Sequence, residues 1–68
     1  MHNQQPSHLA SKELSYLREL MNLEALACKK AEHYTQTLSD PALRQMAQSL
    51  VNHHKAHFES MRGHLSCC

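Results

Sequence analysis

Glycine, β-branched and aromatic residues are scarce in this chain. There is one glycine (Gly63), no isoleucine, no tryptophan, one valine (Val51) and one phenylalanine (Phe58), against ten leucines. Strands draw on the residues that are missing, so a β-sandwich or barrel is excluded and an all-α fold is expected. Charge of one sign is also lacking: seven Lys and Arg face six Asp and Glu. That balance leaves no basic footprint, and no nucleic-acid partner is expected. No apolar run approaches the roughly 18–20 residues of a membrane span, so no membrane association is expected. The opening MHNQQPSHLA is too polar for a secretory signal. With 68 residues, the chain is also short of the core that a stable domain needs, and calls for a disulfide, a metal or a partner chain.

Disulfides are a poor candidate. The three cysteines are Cys28, in an apolar stretch, and the adjacent terminal pair Cys67 and Cys68. An odd count with no secretory signal reads as reduced thiols in a cytosol-like compartment. The terminal pair suits either metal binding or cross-linking of chains, or else forms an inert tail. Histidine is what the chain has in excess, with seven residues.

The organisation is short to state. Residues 1–10 are polar, contain Pro6, and are expected to form a flexible arm. Residues 11–65 form a helical hairpin, with helices over about 12–38 and 41–62, and residues 66–68 are a Cys-containing tail. Ser11 is the expected N-cap of the first helix. Asp40 and Pro41 mark the second start, Asp40 as N-cap and Pro41 at the first helical position, and Gly63 suits a C-terminal stop. A connection of about two residues folds the helices back antiparallel.

Helical periodicity of about 100° per residue gives each side chain a direction. In the first helix Leu14, Leu17, Met21, Cys28 and Ala31 share an apolar arc, continued by Leu20, Ala27 and Tyr34. Glu24 falls near its middle. In the second helix Leu43, Ala47, Leu50, Val51, Phe58, Met61 and Leu65 share an arc whose centre holds His54, with His57 on its flank beside Leu50 and Met46. His33 points outward, and His53 and His64 lie at the edge. Three polar residues, Glu24, His54 and His57, thus stand where apolar ones are expected. If Leu38 is level with Pro41, residues at equal height have numbers summing to about 79. Glu24 is then level with residue 55, between His54 and His57.

Leu23, Leu26, Tyr16 and Ala25 carry the apolar arc of the first helix beyond one partner. A helix apolar on most sides expects neighbours on most sides. Two hairpins packed about a two-fold axis supply them, giving a homodimeric antiparallel four-helix bundle; cover from Leu9 and the N-terminal arm is the alternative. Glu24, His54 and His57 have two readings. Imidazole nitrogen and carboxylate oxygen suit a divalent transition metal such as iron, zinc or manganese, with Cys28 as a further soft ligand or a small core residue. Otherwise the three form a buried, hydrogen-bonded ion pair that sets the register.

The Lys12-Glu13-Leu14 opening, Glu24 in mid-helix, the Asp40-Pro41-Ala42-Leu43 start and the His54-Lys55-Ala56-His57-Phe58 close cover Leu9 to Leu65. In these motifs the chain resembles the small ferritin-like helical-hairpin proteins of spore-forming bacteria, related to the CotF-type spore coat proteins. The resemblance implies a ferritin-like bundle, spore coat partners or a role in sporulation, and a place in the cytoplasm or the spore coat. Ferritin-like di-iron proteins set one Glu on one helix and Glu-x-x-His on the next. Glu24 matches the first and His57 the second, while His54 stands where that Glu would be. A dimer would offer two carboxylates in place of the usual four, which disfavours oxygen-activating chemistry. The expected function is therefore a non-catalytic structural or metal-binding protein, against the alternative of a small metal-dependent oxidase or metal-storage protein.

Overall fold

The computed structural model describes residues 10–65. They form two helices, α1 (Ser11–Thr37) and α2 (Pro41–Leu65), with no strand among the described residues. The expected arm and Cys tail, and with them Leu9, Cys67 and Cys68, lie outside the described residues.

The link between the helices is built as the sequence predicts, with one residue more. Leu38, Ser39 and Asp40 are non-helical. Asp40 Oδ1 accepts the N–H groups of Ala42 at 2.8 Å and Leu43 at 3.3 Å, satisfying two of the orphan donors at the start of α2. Pro41 opens the helix where its missing N–H costs nothing. On the other side of the turn, Leu38 N–H closes α1 onto the Tyr34 carbonyl at 3.0 Å.

Two expected ends are corrected. Ser11 is the first residue of α1 rather than its cap: Ala10 is the N-cap, extended at φ −63° and ψ 155°. Alanine has no oxygen to offer, so the local bond runs the other way, from Ala10 N–H to the Glu13 carboxylate at 3.4 Å. Gly63 does not stop α2, which continues to Leu65. No described residue has a positive φ, so Gly63 never enters the left-handed conformation of a glycine C-cap.

Antiparallel packing follows the expected register. Arg44 Nε donates to the Thr35 carbonyl at 3.2 Å, and Cys28 Sγ lies 3.8 Å from the Val51 carbonyl it donates to. Both pairs have numbers that sum to 79, so α1 and α2 run level along the hairpin. Ala31, Ala47 and Val51 are the buried apolar residues where the helices touch, and Val51 is 3% exposed. The apolar arcs are covered unevenly. Leu14, Leu17, Met21, Cys28, Phe58, Met61 and Leu65 are half-buried. Leu20, Tyr34, Leu43 and Leu50, expected in the same arcs, are about half exposed. The hairpin measures 18 by 12 Å across, one layer of two helices, so among the described residues each helix has a neighbour on one side only.

Candidate functional site: a carboxylate clasped by two imidazoles

Glu24 sits on the inner face of α1, seven residues before Ala31 and four before Cys28, in the stripe that meets α2. His54 and His57 stand three residues apart on α2, on the face turned toward it. The structure brings the three together. His54 Nδ1 is 2.7 Å from Glu24 Oε1, and His57 Nδ1 is 3.1 Å from Glu24 Oε2. Each carboxylate oxygen thus has its own imidazole, and one side chain of α1 bridges two residues about one turn apart on α2.

The environment is graded. Side chains of Glu24 and His54 are 21% and 22% exposed, while His57 is 50% exposed. The Glu24 carboxyl is held below its ordinary value near 4.5. The His54 hydrogen bond lowers it most, partial burial works against that, and the His57 bond and the positive charge of both rings add to the lowering. An ionised carboxylate has no proton to give, so Nδ1 carries the hydrogen on both rings, and in the neutral form of each ring Nε2 is the free nitrogen.

Glu24 lies between two grooves. On one side Cys28 and His54 share a groove with Ala25, Lys29, Glu32, Lys55 and Phe58. On the other, His57 opens into a groove with Leu20, Ser60 and Met61. The four candidate ligands therefore do not line a common cavity. Cys28 turns its thiol to the Val51 carbonyl, which leaves it as a small residue at the helix contact. Among the described residues no group of three or more His, Cys, Asp or Glu side chains is arranged to hold a metal ion. Glu24, His54 and His57 meet as hydrogen-bond partners, each imidazole N–H aimed at an oxygen.

Sequence reasoning places His53 at the edge, and the structure shows it engaged. Its ring centroid is 4.2 Å from that of His57, tilted by 57°. The four-residue spacing between them, one helical turn, is the signal that joins them. His33 is exposed as expected, its ring 5.8 Å from Tyr34. No described helix is long and apolar enough to cross a membrane.

No protein-family model matches this chain, and no solved structure matches it. A similar protein is the uncharacterized protein YuzM of Bacillus subtilis (strain 168), 33% identical over 70 residues, spanning 96% of this chain and 86% of that protein. The similarity covers nearly the whole of this chain, and the chain belongs to the YuzM family.

Proposed function

We propose that this chain is a non-catalytic structural protein, a helical hairpin that pairs with a second copy into an antiparallel, ferritin-like four-helix bundle. The observation that carries this reading is the uncovered apolar face. Tyr16, Leu20, Leu23 and Tyr34 on α1 and Leu43, Met46 and Leu50 on α2 are each between 45% and 62% exposed. Two helices with three buried residues between them cannot offset the conformational entropy of ordering the chain, roughly 1.5 kcal/mol per residue. A copy laid on that face by a two-fold axis supplies the missing layer and matches each apolar side chain with another. Within the bundle the Glu24 clasp fixes the register of α1 on α2. What favours this role over ligation by Glu24, His54 and His57 is that both carboxylate oxygens are already taken by imidazole N–H groups. The place of work is the spore coat or the cytoplasm during sporulation; that part rests on the resemblance of the chain's motifs to those of CotF-type proteins.

Sedimentation at micromolar concentration under reducing conditions tests the assembly. A dimer is expected, and a stable, folded monomer overturns the bundle. Fractionation of sporulating cells tests the location, with the protein expected in the coat extract or the cytoplasm and its absence from both as the contrary result.

A further inference from the structure

We propose that His53 and His57 form a two-imidazole chelate for a divalent transition metal ion of the nickel, copper and zinc class, with Glu24 holding the His57 ring from behind. The two histidines are one turn apart on α2, and their rings approach to 4.2 Å, so one ion can span them with little side-chain movement. Two histidines four residues apart on a helix are a recurrent pair of metal ligands for this geometric reason.

The free nitrogens are the right ones. His57 gives its Nδ1–H to Glu24 at 3.1 Å, which leaves Nε2 as the ligand atom. A carboxylate behind an imidazole fixes the tautomer, steadies the ring and makes the far nitrogen more basic, as around metal-bound histidines generally. His53 is exposed and donates no hydrogen bond among the described residues, so both of its nitrogens are free. Nitrogen donors with the remaining positions open to water suit the borderline ions and not magnesium or calcium.

His53 also lies beside Met46, Ser49 and Leu50, on the face that the bundle would cover. Imidazole nitrogens covered without a partner would be costly, and an ion held between the two rings removes that cost. The chelate is complete on one chain and does not require the bundle, so the failure of either is read separately.

The deciding experiment titrates Ni2+ alone into the full chain under reducing conditions, following binding calorimetrically and the melting temperature in parallel, with sedimentation reporting oligomeric state. One ion per chain is expected, with a rise in melting temperature that grows with Ni2+ concentration. His53→Gln should weaken binding at least tenfold and remove the rise. It should leave far-ultraviolet dichroism unchanged, because His53 is exposed on α2 and makes no hydrogen bond within the hairpin among the described residues. His33→Gln, an exposed histidine away from the pair, should bind as the parent does. A parent without affinity for Ni2+, or a His53→Gln variant that binds like the parent, overturns the proposal.

Discussion

The two long faces of the hairpin are built from opposite materials. One carries Tyr16, Leu20 and Leu23 from α1 and Met46 and Leu50 from α2, all at least half exposed. The other carries Lys29, Glu32, Lys55 and Glu59, with Lys55 Nζ 3.8 Å from Glu32 Oε2. The charged face is complete as it stands, because water solvates each group and the ion pair adds little. The apolar face gains only when something covers it. Between them runs the seam with Glu24, His54 and His57, part-buried and polar. The difference teaches where each kind of specificity lies: assembly in the apolar face, alignment in the seam, solubility in the charged face.

A charge on the apolar face is the strongest way to break this comparison. Leu23 is 59% exposed in the hairpin, so Leu23→Glu in a solitary hairpin should change stability by about 0.5 kcal/mol or less. In a bundle it buries a carboxylate, and the dimer should be lost together with helicity, with a fall in melting temperature on the order of 10 °C or more. Sedimentation and dichroism on the same samples decide between the two.

The seam should give a smaller effect with a distinctive pH signature. Because Glu24 titrates lower in the folded chain than in the unfolded one, the unfolded state binds more protons as pH falls. Its contribution is therefore whole above about pH 4.5 and is lost as pH drops through the lowered folded value. Glu24→Gln should lower the melting temperature at neutral pH and flatten its decline in acid. Thermal melts across pH 2 to 7 check this, and parallel acid curves for the two proteins would contradict it.

On the charged face the effect should nearly vanish. Lys55 and Glu32 are both largely exposed, so Lys55→Gln should shift stability by no more than about 0.5 kcal/mol and leave the oligomer intact. A dimer lost in this variant, with Leu23→Glu unaffected, would exchange the roles of the two faces.

The seam was legible in the sequence because direction and height are independent counts and both pointed to the same three residues. Glu24 lay in an apolar arc, and the short Asp40-Pro41 turn set the height at which His54 and His57 would meet it. The ends were less legible. Ser11 is a good cap by type, yet the helix begins on it, since the Ala10 N–H finds Glu13 instead. Gly63 is a good stop by type, yet a Cβ there would meet nothing within 4 Å and the helical conformation costs glycine little near a helix end. The angle of His53 puts it at the edge of the arc, where only a neighbour one turn away makes it matter.

By itself the sequence determined the two helices, their antiparallel order, the turn and the register. Each of these follows from local chemistry: leucine-rich periodicity with no proline past the first position of either helix, an aspartate cap before a proline, a link too short for any other return. Which half of each apolar arc would be covered was decided only by the tertiary structure. Leu20 and Ala31 belong to one arc by angle, but Ala31 is buried and Leu20 is half exposed. Two cylinders in contact cover a narrow strip of each, and the position of that strip depends on the meeting of both surfaces at once. The same meeting gave Glu24 one imidazole on each oxygen.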